Sequence, residues 1–132
     1  HGPSQQQVMR SCLLSSDLDA CDVQILQMHG TGTPLGDPIE VGAASAVLIS
    51  DGTSRAYPVH MSAVKSNIGH SEAAAGMAGM VQLVGNLMNK SNSVITHLRD
   101  VNPHIVGMLS MGRGKTGSLD LSRESSSLAC GE

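Results

Sequence analysis

An α/β layered fold follows from three features of the sequence. Short apolar runs alternate with stretches of helical spacing in the order helix, strand, helix, strand, helix, strand, the pattern of strands joined by crossover helices. Two histidines, His29 and His70, fall where strand-like runs hand over to turns rich in Gly and small polar residues, which is where open α/β sheets hold their ligands. The stretch from Ala73 to Asn89 carries no charge, as a helix buried within protein does.

The elements follow in order. Ser4 is expected to cap a helix reaching about Ser15, with Val8, Met9, Cys12 and Leu13 on one face. Asp17 to Asp22 is a polar loop, and Val23 to Met28 reads as a buried strand ending at His29. Gly30 to Gly36 form a turn, after which Asp37 caps and Pro38 opens a helix to about Ile49. Ser50 to Arg55 is a polar connection. Val59 to Val64 is a second strand, ending at Lys65, and Ser66 to Gly69 make the next turn. The uncharged helix then begins at His70 or Ser71. Ser93 to Leu98 is expected as a third strand, and Asn102-Pro103 as a break. From residue 106 the sequence turns irregular and then Ser-rich between Ser122 and Ser127, a composition that predicts poor order. The chain therefore divides into a domain over residues 1–105 and a divergent tail over residues 106–132.

Composition narrows the function classes. The chain has 132 residues, a net charge of −3 and only 14% charged residues, with no basic patch of the kind nucleic acid requires. Trp and Phe are absent and Tyr57 is the only aromatic, so Met, Leu, Val, Ile and Ala must fill the core without the large areas that aromatics bury. Such a core is thin for a free-standing domain, which predicts a piece of a larger body. An N-terminus lacking Met points the same way. Cys12, Cys21 and Cys130 form no C-x-x-C pair, so a zinc knuckle is not expected. Three free thiols suit a reducing compartment, here the cytoplasm or an organelle stroma, and no signal-peptide pattern marks the chain as secreted. The uncharged stretch is shorter than the roughly 20 apolar residues of a membrane span and includes Gln82 and Asn86.

The chemistry concentrates in two segments, His29-Gly30-Thr31-Gly32-Thr33-Pro34-Leu35-Gly36-Asp37-Pro38-Ile39-Glu40 and Lys65-Ser66-Asn67-Ile68-Gly69-His70. Glycines let backbone and ligand approach closely, and the hydroxyls of Thr31 and Thr33 can hold a polar substrate arm. Lys65 at the end of an apolar strand needs a partner if buried, and Glu40 is the best placed. Two histidines, a lysine and a glutamate look like the acid/base half of an active site, with no nucleophile beside them. Gly30, Gly32 and Gly36 are spaced one residue too far for a dinucleotide fingerprint. The histidines lack metal-binding spacing.

These two segments, the second continuing as S-E-A-A-A-G-M-A-G, resemble the C-terminal half of a β-ketoacyl synthase. The similarity is greatest to ketosynthase domains of modular type I polyketide synthases, followed by animal-type fatty acid synthases, and covers about Gly2 to Ile105. The resemblance implies a thiolase-like fold of αβαβα layers, of which this chain makes up most of the C-terminal half, with the uncharged helix buried between two sheets. It implies decarboxylative Claisen condensation of acyl and malonyl-type thioesters carried by acyl carrier protein. By motif position, His29 and His70 match the two catalytic histidines, Lys65 the lysine of that site and Glu40 its partner. Thr31 and Thr33 match the hydroxyls that touch the pantetheine arm. No bound cofactor or metal is implied; the substrates ride on phosphopantetheine. The expected partners are acyl carrier protein, the remainder of the ketosynthase domain and, in the parent, a second copy forming a homodimer. The Asn102-Pro103-His104 break resembles the proline-rich strand before the family's last hairpin.

The departures set a further expectation. No cysteine here has the T-A-C-S-S context of the family's nucleophile, and the final glycine-rich loop of the G-F-G-G-T-N-A-H kind is missing. Cys12 is read instead as a small buried hydrophobe. The chain is thus expected to be a fragment, inactive in isolation, of an acyltransferase of this type. The alternative is a non-catalytic or decayed half-domain acting as an interaction module.

Overall fold

The computed structural model describes residues 1–49, 55–110 and 119–121. Three short strands, β1 (Ile25–Gln27), β2 (Val59–Ser62) and β3 (Leu119–Leu121), form a parallel sheet in the order β1-β2-β3. Ile25 pairs with His60 and Leu26 with Met61, while Val59 pairs with Leu119 and Met61 with Leu121. Helix α2 (Gly36–Leu48) is the crossover between the first two strands, the connection that parallel neighbours require.

Alternation along the strands sorts the residues onto two faces. Leu26, Met28, Val59, Met61, Leu119 and Leu121 point to the side covered by α1 (Gly2–Ser16), α2 and a later helix, and there they join Val41, Ala44, Val47 and Leu48 in the core. Val59 and Met61 are fully buried. No aromatic contributes, and Tyr57 is exposed. On the other face, Gln27 and Ser62 meet α4 (Ala75–Asn89) through a polar chain: Ser62 Oγ donates to Gln27 Oε1 at 2.7 Å, and Gln27 Nε2 donates to Gln82 Oε1 at 3.4 Å. The layers are therefore helices, sheet and helix.

Helix α4 buries only Ala75, Gly79 and Asn86. Met77, Met80, Val81, Val84, Leu87 and Met88, at i, i+3, i+4, i+7, i+10 and i+11, form an exposed apolar stripe. The predicted helix is present, but a sheet covers it on one side. Among the described residues no helix is long and apolar enough to cross a membrane.

Several local expectations are corrected. Helix α1 starts at Gly2 with Pro3 in its first turn rather than at a Ser4 cap, and it ends on Asp17 in the left-handed conformation. Its packed side runs through Met9 and Leu13, about 100° around the helix from Val8 and Cys12. Those two are exposed, so Cys12 is not a buried hydrophobe.

Residues 93–98 are not a strand. Their polar groups are drawn to side chains of neighbouring elements: Thr96 N–H donates to Ser66 Oγ at 3.1 Å, and the hydroxyls Thr96 Oγ1 and Ser93 Oγ donate to Asn67 Oδ1 and Asn86 Oδ1, each at 2.6 Å. The left-handed His97 then turns the chain. The β-branched Val94, Ile95 and Thr96 favour a strand only where a partner ladder exists.

Asn102-Pro103 is a helix start, not a break or a strand. Asn102 Oδ1 accepts the His104 N–H at 3.0 Å, and Pro103 opens α5 (Pro103–Ser110). Asn as cap with Pro in the first position is a favourable helix entry. Ile105, Met108 and Leu109 pack on the core. The expected unordered tail is thus corrected for residues 106–110, which continue α5, and for 119–121, which form β3. The polar connection at 50–54 and the Ser-rich segment at 122–127 lie outside the described residues.

Candidate active site

Both histidines leave the same edge of the sheet. Met28 continues the β1 ladder, its N–H bonding to the Ser62 carbonyl at 2.8 Å, and His29 follows directly. After β2 the chain enters the single turn α3 (Lys65–Ile68), so Lys65 opens a helical turn rather than ending the strand. Gly69 closes that turn at φ 76° and ψ −176°, a conformation open essentially to glycine alone. This reversal brings the His70 ring against the His29 ring, edge to face, with centroids 5.6 Å apart and planes at 87°.

The tautomer of His70 is set locally. Glu72 adopts a positive φ of 45°, an uncommon and costly state for a non-glycine. Its N–H thereby donates to His70 Nδ1 at 2.9 Å. With Nδ1 accepting, the neutral imidazole carries its proton on Nε2. His70 thus offers a directed N–H donor.

The loop after His29 is fastened from its own helix. Glu40, in the first turns of α2, accepts the His29 N–H at 2.6 Å and the Gly30 N–H at 3.0 Å. Asp37 accepts the Gly32 N–H at 3.1 Å, and Thr33 Oγ1 accepts the Gly36 N–H at 3.1 Å. Asp37 is therefore a clasp on the loop, and α2 begins one residue earlier than its expected cap. Glu40 and Lys65 form no ion pair among the described residues. Both Glu40 oxygens are taken up by backbone amides instead, charge-assisted bonds of the stronger kind. In its bond to Gly36, Thr33 Oγ1 acts as acceptor, which leaves its O–H available as a donor among the described residues.

Gly30 is required by space and by conformation. Its φ is +49°, and a Cβ there would stand 2.6 Å from the Ala63 Cβ. Gly30→Ala is expected to cost about 2–4 kcal/mol through the left-handed backbone and the forced overlap. A thermal melt should show a midpoint lower by about 10 °C, and a drop under about 2 °C would count against this packing.

Thr31, Thr33, Lys65 and His70 line one groove of about 800 Å³, whose far wall is built from Ile95 to Ile105. His29 is not in the lining and adjoins it through His70. The structure thus gathers the sequence-derived residues at one sheet edge. Asp37 and Asn102 also face the groove and were missed. For Asn102 a signal was available, since Asn-Pro ahead of the 105, 108, 109 apolar spacing marks a helix start. Among the described residues, the one group able to ligate a metal is the exposed Asp19, Cys21 and Asp22. Its acids are already engaged in a reciprocal capping box around a 3-10 turn.

Residues 1–98 match the family described as Beta-ketoacyl synthase, C-terminal domain. The chain is 43% identical over 105 residues to Erythronolide synthase EryA2 of Saccharopolyspora erythraea, an alignment covering 80% of this chain and 3% of that protein. It is 40% identical over 105 residues to Mycoketide-CoA synthase of Mycobacterium tuberculosis, covering 80% and 2%. Among solved structures, ketosynthase twelve from the bacillaene polyketide synthase of Bacillus amyloliquefaciens superposes with a TM-score of 0.82 at 27% identity, over 100% of this chain and 22% of that one. The oxazolomycin ketosynthase domain OzmH KS7 of Streptomyces albus gives 0.80 at 26%, over 98% and 22%. The chain belongs to the β-ketoacyl synthase family, as part of its C-terminal domain, and has the thiolase-like fold of these ketosynthases.

Proposed function

We propose that this chain supplies the decarboxylation side of a ketosynthase active site in polyketide or fatty acid biosynthesis. The observation that carries the reading is the His29–His70 contact, with the His70 proton directed to Nε2 by the Glu72 amide. In the reaction the bond from the malonyl α-carbon to its carboxylate breaks and carbon dioxide leaves. The electron pair passes to the thioester as an enolate. Imidazole N–H donors aimed at the enolate oxygen stabilise it as an oxyanion hole does. The α-carbon then attacks an acyl thioester held on a cysteine, forming the carbon–carbon bond and expelling the cysteine thiolate. Thr31 and Thr33 are assigned to the pantetheine arm, and Lys65 is assigned to the acid/base site of the groove that His70 also lines. Glu40 acts through the backbone of His29.

The cysteine is assigned to a second half-domain, and the exposed Met77-to-Met88 stripe of α4 is the apolar surface that half would cover. Acyl carrier protein and a homodimeric parent, in the cytoplasm or an organelle stroma, complete the reading.

The test combines the chain with a cysteine-bearing half from a family member and supplies acyl and malonyl carrier thioesters. The expected result is ketoacyl product from the combination and none from the chain alone. Product from the chain alone would refute the division of the site. A well-folded combination that releases no carbon dioxide would favour the non-catalytic interaction module.

A further inference from the structure

The loop from His29 to Gly36 is tied mostly to its own helix, through Glu40, Asp37 and the Thr33 hydroxyl. Those bonds fix the loop's shape but not its distance from the far wall of the groove. Among the described residues, one hydrogen bond spans that distance. Asn102 Nδ2 donates to the Pro34 carbonyl at 3.2 Å, linking positions 68 residues apart. Pro34 has no N–H, so its carbonyl is the only backbone group by which it can be held. The other end of the same amide is also committed, because Asn102 Oδ1 accepts the His104 N–H at the start of α5. With the oxygen so engaged, the NH2 group must face Pro34, and the amide orientation is determined by its two partners. Pro34 and Asn102 both line the groove.

We propose that Asn102 is a positioning residue for the thioester arm: it holds the Thr31–Thr33 loop at a fixed span from the wall formed by Ile95 to Ile105. The inference rests on reading this groove as the pantetheine site. A loop ordered before binding spares the ligand the cost of ordering it. Substitution at this position should therefore weaken binding and loosen the Thr31–Thr33 loop together.

The two ends of the amide can be separated. Asn102→Asp keeps an oxygen for the His104 N–H, where a negative charge suits a helix N-terminus, but sets an acceptor against the Pro34 carbonyl. Asn102→Ala loses both bonds. The experiment titrates D-pantetheine into the full chain, follows the Thr31 and Thr33 amide resonances, and measures hydrogen exchange at the loop amides together with the thermal midpoint. Asn102→Asp is expected to leave the midpoint unchanged, to speed exchange at the loop amides, and to raise the pantetheine Kd about fivefold, the ratio that one neutral hydrogen bond commands. Asn102→Ala should raise Kd similarly and lower the midpoint as well. An Asn102→Asp chain with unaltered Kd and unaltered loop exchange would overturn the proposal. So would a Kd that rises only in step with lost stability. If D-pantetheine moves no resonance in the unsubstituted chain, the groove reading fails separately. Exchange at the loop amides then still decides whether Asn102 orders the loop.

Discussion

Replacing His70 by Ala, in the enzyme reassembled from this chain and a cysteine-bearing half, is expected to slow carbon dioxide release from a malonyl thioester by about 100- to 1000-fold. The size follows from the kind of interaction removed. The His70 ring is held by the Glu72 amide at Nδ1 and by its perpendicular contact with the His29 ring, so its Nε2–H stands ready before charge develops. A donor that is preorganised in this way acts mainly on the enolate-like transition state. Its loss should lower kcat and kcat/KM together and leave KM nearly unchanged. His70→Gln, whose amide can also donate, should recover part of the rate. Single-turnover release of labelled carbon dioxide measures the chemical step directly. A loss below tenfold would assign enolate stabilisation to another group.

The histidine turns were legible in sequence because the information is local. A strand-like run, a histidine and a glycine turn succeed one another within a few residues, and the structure puts both histidines at one sheet edge. Glu40 was legible as a supporting carboxylate, but its partner was not. The strength of a lysine–glutamate pairing can be guessed from charge, whereas two backbone N–H groups at 2.6 and 3.0 Å carry no signature in side-chain chemistry.

The third strand failed for a different reason. Val94, Ile95 and Thr96 have the right residue types, but Ser66 and Asn67 draw their polar groups away. The strand that does complete the sheet is three residues long and lies in a stretch whose composition suggested disorder. The uncharged helix α4 could be recognised from composition alone. Which of its sides meets the sheet depends on Gln27 and Gln82, 55 residues apart.

Arg55 shows most plainly what sequence order conceals. It looked like the end of a polar connection, yet it is only 5% exposed. Its guanidinium donates to the carbonyls of Ala20 and Val23, to Leu48 at 3.4 Å and to Tyr57 at 3.4 Å. One side chain thus gathers the approach to β1, the end of α2 and the approach to β2. Burial lowers the Arg55 pKa from its ordinary value, and the nearby Cys21 and Asp22 act in the opposite direction. The carbonyl bonds are what offset the desolvation of the charge.

Arg55→Ala is accordingly expected to destabilise the chain by about 3–5 kcal/mol, since each buried carbonyl left without a donor costs about 1–3 kcal/mol and water can reach some of them. That is a large part of the total stability of an ordinary domain, about 5–15 kcal/mol. Arg55→Lys keeps the charge but not the planar fork, so it should recover less than half of the loss. Urea unfolding followed by circular dichroism gives both values. If Arg55→Lys matches the unsubstituted chain, a single ammonium suffices and the geometry of the fork is not what joins the three elements. If both variants unfold equally early, charge alone contributes nothing and the carbonyl bonds account for the whole effect.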